Sequence, residues 1–214
     1  MILPSFDYEK KYWKEGARFI AGVDEAGRGP LAGPVVAGAV VIEPEIFESI
    51  KDDSKYKLIR DSKTLSARQR EKAYEMITGN FKWGVGWSSE ETIDRINILQ
   101  AAFLAMKKAI SDVKRKIGNE MDVLLIDGRG LVPNVSTRQE NIVGGDKFVF
   151  SISAASIIAK VTRDRMMIEL HEKFPAYGFA KHKGYGTKMH FEMIGKHGPC
   201  EIHRKSFKIR NVKR

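Results

Sequence analysis

Apolar positions along the chain fall first into runs of strand length and later into stripes of helical period. Residues 17–24 (ARFIAGVD), 33–43 (GPVVAGAVVIE) and 81–89 (FKWGVGWSS) are rich in small and β-branched residues and are bounded by Gly and Pro, which predicts three strands. Short connections between them predict an antiparallel meander. Ser88 followed by Glu91 fits a capping box that opens a short helix, and Asn97 can cap the next one, ILQAAFLAMKKAISDVKRKI, whose apolar residues recur at helical spacing. The run DVLLIDG predicts a further strand. From about residue 151 the pattern is mainly helical, in SISAASIIAKVTRDRMMIELHEKF and again in TKMHFEMIGKHG.

Three strands followed by helix, strand and helix predict an α/β fold in which helices cover a mixed sheet. A chain of 214 residues can bury one sizeable core, and no linker is long enough to argue for independent domains. No internal repeat or low-complexity segment breaks this picture.

Charge changes the picture more than composition does. The formal net charge is +10 and the sequence pI near 9.6, with the excess densest in the last forty residues (AKHKGYGTKMH and HRKSFKIRNVKR), so a polyanion is the expected partner. No apolar run approaches the roughly 20 residues that span a bilayer, and the N-terminal stretch carries no signal-peptide core. Cys200 stands alone, which excludes an internal disulfide and suits a reducing cytoplasm. The expected location is therefore cytoplasmic. Monomer is the default state for a chain with no evident pairing helix.

The candidate chemistry lies at the ends of the apolar runs. Asp24 and Glu25 close the first strand, Asp127 closes VLLID, and Asp146 follows IVGG. Carboxylates gathered at the rim of a core repel one another and raise their own pKa values unless a cation neutralises them. Mg²⁺ and Mn²⁺, which prefer carboxylate oxygen and water, meet that need. Four such acids holding two ions about 4 Å apart suit in-line phosphodiester hydrolysis. Any one of them could instead cap a turn. Adjacent strand residues point to opposite faces, so Asp24 and Glu25 are expected to share a site only through a break or bulge, for which the Ala26-Gly27 step is the cheap place.

In sequence order, GVDEAGRGPLAGPVVAGAV, DSKTLS (61–66), LLIDG (124–128), GGD (144–146), SAASIIAKVTRD (153–164), HKGYGT (182–187) and HGPCEIHRKSF (197–207) resemble bacterial type 2 ribonuclease H, the ribonuclease HII family. The ordered set spans nearly the whole chain. The resemblance implies a ribonuclease H-like mixed five-stranded sheet flanked by helices, with a catalytic core over 17–165 and a C-terminal helical lobe and basic tail over 166–214. It implies a divalent-metal endoribonuclease, with two Mg²⁺ or Mn²⁺ ions in catalysis, that acts on RNA–DNA hybrids and on ribonucleotides embedded in duplex DNA, as ribonucleotide excision repair requires. Asp24, Glu25, Asp127 and Asp146 fall on the family's catalytic and metal-binding acids. Gly27, Arg28 and Gly29 fall on its ribonucleotide-sensing loop, and Tyr185 on the tyrosine that packs against the sugar at the RNA–DNA junction. RNA differs locally from DNA by the 2′-hydroxyl, and a loop without bulky side chains lets backbone groups approach it.

Other residues carry weaker expectations. Ser153, Ser156, Lys160 and Arg163 lie within about 80 degrees of one another on a helix, a hydroxyl-and-cation face that can follow a phosphate backbone or simply allow close packing. Ser62 and Lys63 of DSKTLS could hold another phosphate. Asp164 is expected in a local ion pair with Arg163 or Arg165 rather than on a metal, the histidines at 182, 190, 197 and 203 in basic contacts or core packing, and Trp83 and Trp87 in the core or on the sheet face. Two alternatives remain open beside the nuclease. Another ribonuclease H-fold DNA nuclease would share the acids but has no need of GRG or GYGT, and a non-catalytic hybrid-binding module has no need of four acids.

Overall fold

In the computed structural model, which describes residues 3–51 and 53–208, helix α1 (Asp7–Lys14) precedes strands β1 (Ile20–Ala26) and β2 (Val35–Ile42). Helices α2 (Pro44–Ile50) and α3 (Ala67–Asn80) separate β2 from β3 (Lys82–Ser88). Then come α4 (Glu90–Ile96), α5 (Ile98–Ile117), β4 (Val123–Asp127), β5 (Arg138–Ile142), α6 (Gly145–Phe148), α7 (Phe150–Lys173), α8 (Phe179–His182) and α9 (Lys188–His197). The strands form one sheet in the order β3-β2-β1-β4-β5, antiparallel from β3 to β1 and parallel from β1 to β5.

The mixed five-stranded sheet is the one expected, but two local expectations are corrected. β2 and β3 pair as a meander across an insertion, residues 43–81, that carries two helices rather than a short turn. The cap of α4 is Ser89, whose hydroxyl accepts from the Thr92 amide at 3.2 Å. Ser88 is the last residue of β3, and the strand's alternation turns it inward, where its hydroxyl donates to the Ala101 carbonyl at 3.0 Å. Asn97 does cap α5, accepting from the amides of Leu99 and Gln100.

Helix α5 packs on one face of the sheet over Ala21, Val23, Val35 and Ala37, and α7 packs on the other with Ala155 and Ile158 near Val40. Gly22 and Gly38 lie beneath α7, and a Cβ at either would run into helix backbone at Ser151 or Ala155. The missing side chains bring α7 down onto β1 and β2, which sets Ser156 beside Asp24. The first turn of α7 has no capping side chain of its own. Buried Glu9 of α1 caps it from outside, accepting from the Ser151 amide at 2.9 Å, where the helix dipole favours a carboxylate.

Helices α8 and α9 and the segment after them enclose a separate apolar cluster with Tyr177, Phe179, Ile194 and Ile202. Ala32, from the loop between β1 and β2, and Met167 of α7 belong to the same cluster, so the C-terminal lobe is packed directly on the loop that follows β1. The boundary expected at 165/166 falls within the continuous helix α7. Residues 209–214 of the expected basic tail lie outside the described residues. Among the described residues, no helix is long and apolar enough to cross a membrane.

Candidate active site

Three elements bring the four acids together. β1 and β4 are parallel neighbours with Val23 opposite Ile126, so Asp24 and Asp127 follow side by side at their C-terminal ends. β5 pairs with β4 up to Asp127 opposite Ile142, and the turn after it delivers Asp146 on α6. Asp24 and Asp146 are buried, and Glu25 and Asp127 half-buried. Burial, then the charges of Glu25 and Asp127, hold the Asp24 carboxyl well above its usual range. Burial also raises Glu25, against the lowering effect of Arg28, and raises Asp127 together with the charge of Asp146.

The strand does break at the expected Ala26-Gly27 step, but this lies beyond both acids and puts no kink between Asp24 and Glu25. The β1–β2 ladder is regular through Asp24–Gly38, Glu25–Ala37 and Ala26–Val36, and the chain leaves the strand only at Gly27, with φ at +100°. Both acids nevertheless feel the charge of Asp127, because the neighbouring strand ends beside them. The convergence comes from strand pairing rather than from a kink within one strand.

Two of the acids face a cation. Lys63 Nζ lies 2.7 Å from Asp146 Oδ2, and Arg28 Nη1 3.1 Å from Glu25 Oε1. Asp127 Oδ1 is buried without a hydrogen-bond partner. Among the described residues, no three His, Cys, Asp or Glu side chains are gathered closely enough to hold a metal ion as they stand.

The two glycines of the Gly27-Arg28-Gly29 loop differ in kind. Gly27 is required by the fold: its φ is left-handed, and a Cβ there would collide with the Arg163 side chain and approach Pro34 O to 2.8 Å. Gly29 is not required by the fold, since a Cβ there would meet only Tyr185 Cε1, at 4.0 Å. Tyr185 is 42% exposed, so the bare face of Gly29 and one face of this ring border the same open space. Leu31 N donates to Gly184 O at 2.8 Å and ties the loop to the tyrosine's segment.

Of the helix face expected to follow a phosphate backbone or to allow close packing, Arg163 is buried completely and does not face a phosphate. Its Nε donates to Pro34 O (2.9 Å), Nη2 to Ala32 O (3.2 Å) and Nη1 to Lys183 O (3.0 Å). Ser153, at the other end of that face, is also fully buried and donates to Asp146 O at 2.8 Å, anchoring the acid rather than facing solvent. Buried Ser156 and Ser62 share a hydrogen bond of 3.2 Å. Lys160 takes Asp164 as its partner at 2.7 Å, so the ion pair expected for Asp164 forms one helical turn away and not with an adjacent arginine, as helix geometry favours. A groove of about 410 Å³ beside Tyr185 is lined by Arg70, Lys160, Lys181 and Lys183, with Glu71 and Asp164. His190 and His203 are core residues, Trp83 is partly buried, and Trp87 is exposed on the sheet edge.

The chain matches the family model described as Ribonuclease HII over residues 21–210. It is 48% identical over 209 residues to a ribonuclease HII of Caldicellulosiruptor bescii, covering 97% of this chain and 94% of that one. It is similar to the ribonuclease HII solved in complex with PCNA from Archaeoglobus fulgidus, at 25% identity and a TM-score of 0.70 over 91% of this chain and 97% of that one. The ribonuclease H2 of Pyrococcus horikoshii superposes with a TM-score of 0.67 at 28% identity, over 89% and 94% of the two chains.

Proposed function

The chain belongs to the ribonuclease HII family and is a ribonuclease H hydrolase; on that premise we propose that it cuts the phosphodiester on the 5′ side of ribonucleotides, in RNA–DNA hybrids and at single ribonucleotides embedded in duplex DNA. The products are a 5′-phosphate and a 3′-hydroxyl. The observation that carries this reading is the bare face of Gly29: the fold leaves room for a side chain there, and the room opens beside Tyr185. A bare backbone face next to an exposed ring suits recognition of a 2′-hydroxyl by backbone groups.

Asp24, Glu25, Asp127 and Asp146 have the chemistry to hold divalent ions, Mg²⁺ or Mn²⁺. The raised pKa values of Asp24, Glu25 and Asp127 and the orphaned Asp127 Oδ1 mark carboxylates whose charge Lys63 and Arg28 offset only in part. Two such ions, when bound, supply activation of the attacking water and stabilisation of the leaving 3′-oxygen. The protein's own residues do the rest. Ser153 fixes the backbone that carries Asp146, and Ser156 supports Asp24. Lys160, Arg70 and Lys183 line a groove fit to follow a phosphate backbone, which supplies affinity without reading sequence. Tyr185 packs against the sugar at the junction, and Gly27, Arg28 and Gly29 read the 2′-hydroxyl beside it.

Duplexes carrying no, one or several ribonucleotides, incubated with Mg²⁺ or Mn²⁺ and mapped on sequencing gels, test the proposal. Cuts on the 5′ side of ribonucleotides alone are expected. Equal cutting of all-DNA would identify a DNA nuclease, and binding without any cut a recognition module.

A further inference from the structure

Arg204 is the one residue of the C-terminal HRKSF stretch whose charge is nowhere near the surface. It is 1% exposed, and among the described residues no carboxylate forms an ion pair with it. All its donors go to main-chain carbonyls of one loop. Nη2 donates to Gly27 O (2.6 Å), Gly33 O (2.8 Å) and Pro34 O (3.2 Å). Nη1 donates to Arg28 O (3.0 Å) and Pro30 O (2.8 Å), and Nε to Gly33 O (3.0 Å). A short antiparallel contact holds Arg204 in place, with Arg204 N donating to Leu31 O and Gly33 N to Ile202 O, both at 2.9 Å.

A guanidinium offers five N–H groups in a rigid plane, and here that plane gathers carbonyls from both ends of residues 27–34. Drawing the carbonyls of Gly27 and Arg28 inward commits the polarity of the loop. The amides of Arg28 and Gly29 donate to no acceptor among the described residues. Burial, with Arg163 nearby, pushes the Arg204 guanidinium down to about 9, so it remains a cation at neutral pH and keeps its hold on the carbonyl dipoles.

We propose that Arg204 is a positioning residue for substrate discrimination: its guanidinium clamps the Gly27-Arg28-Gly29 loop in the shape that tells a ribonucleotide from a deoxyribonucleotide, without touching the substrate. The proposal rests on the sensing role given to that loop above. Lysine keeps the charge but presents a point of three donors, which cannot span both ends of the loop.

The test is Arg204→Lys, assayed in the full chain well below its melting temperature on all-DNA, single-ribonucleotide and long-hybrid duplexes. Expected are a folded protein, affinity for all-DNA within a few-fold of wild type, and kcat on the single ribonucleotide lower by about 100-fold, as a displacement near 1 Å at the reacting geometry produces. KM should change little, and the preference for ribonucleotide over deoxyribonucleotide should shrink. Wild-type kcat and preference in Arg204→Lys would overturn the proposal, as would equal losses on binding and on turnover. If wild type itself cuts all-DNA as fast as the single-ribonucleotide duplex, the sensing role of the loop fails, whatever Arg204 does. A second measurement needs no variant: the Nε–H resonance of Arg204, followed by NMR in Ca²⁺, should shift on adding the single-ribonucleotide duplex and not on adding all-DNA. The same response to both would overturn the clamp even if Arg204→Lys does not fold.

Discussion

Replacing Gly29 by alanine separates what the fold needs from what the ligand needs. The added methyl would meet only Tyr185 Cε1, at 4.0 Å, and the Gly29 backbone is outside the left-handed region. The folded state therefore accepts the methyl, and the restricted unfolded chain should leave stability unchanged or raise it by about 0.4–1 kcal/mol. The ligand would lose more. Excluding the 2′-hydroxyl from one neutral hydrogen bond costs about 0.5–1.5 kcal/mol, which is roughly 2- to 12-fold in rate. Displacing the scissile phosphate by about 1 Å costs on the order of 100-fold, so geometry outweighs the lost bond. The expected outcome is a kcat/KM on a single-ribonucleotide duplex lower by about 100-fold or more, with all-DNA affinity by fluorescence anisotropy and the melting temperature both at wild-type level. Gly27→Ala is the contrasting variant. Its left-handed φ alone costs about 1–2 kcal/mol, and the collisions with Arg163 and Pro34 add to that, so its melting temperature should fall clearly. Wild-type turnover in Gly29→Ala, or a Gly27→Ala protein as stable as Gly29→Ala, would refute the reasoning.

Asp127→Asn should abolish cleavage while leaving duplex binding nearly intact, since affinity comes from Lys and Arg on phosphate. Because burial and Asp146 raise the Asp127 pKa, the folded state loses stability relative to the unfolded chain as rising pH forces the carboxyl to ionise, and the variant should melt higher than wild type in EDTA at pH 8; a lower melting temperature would contradict this charge balance. Tyr185→Ala should lose most activity on a single embedded ribonucleotide and less on a long hybrid, and an equal loss on both would remove the ring from junction reading. His190 is fully buried and its pKa is pushed down to about 4 by burial, while the unfolded side chain titrates near 6.5. The unfolded state therefore binds the extra proton in that window, so the stability His190 contributes is intact above about pH 6.5 and is lost toward pH 4. The unfolding free energy of wild type relative to His190→Gln should shrink by up to about 3 kcal/mol between those limits in urea titrations; a constant difference would show that His190 titrates freely in the native state.

Much of this protein is written locally in its sequence. The strands β1 to β4 coincide with runs of small, apolar and β-branched residues, and α5 begins at the capping Asn97 and ends at the left-handed Gly118, because these choices depend on residues a few positions apart. The acids at the strand ends are legible for the same reason: a carboxylate closing an apolar run stands out against its neighbours. The tertiary structure alone decided how Asp24 and Glu25 meet Asp127, through the parallel pairing of β1 with β4 across some hundred residues rather than through a kink between them. It also turned Ser88 into the sheet and left the cap to Ser89, a one-residue choice that strand alternation makes and a capping pattern cannot. The burial of Glu9, Arg163 and Arg204 was the least legible of all. Each finds its partners among main-chain amides or carbonyls, and Arg204 reaches Gly27 from 177 residues away. Every residue carries a carbonyl, so such a partner leaves no mark in the pattern of side chains, and only the folded chain shows which carbonyls converge on a guanidinium.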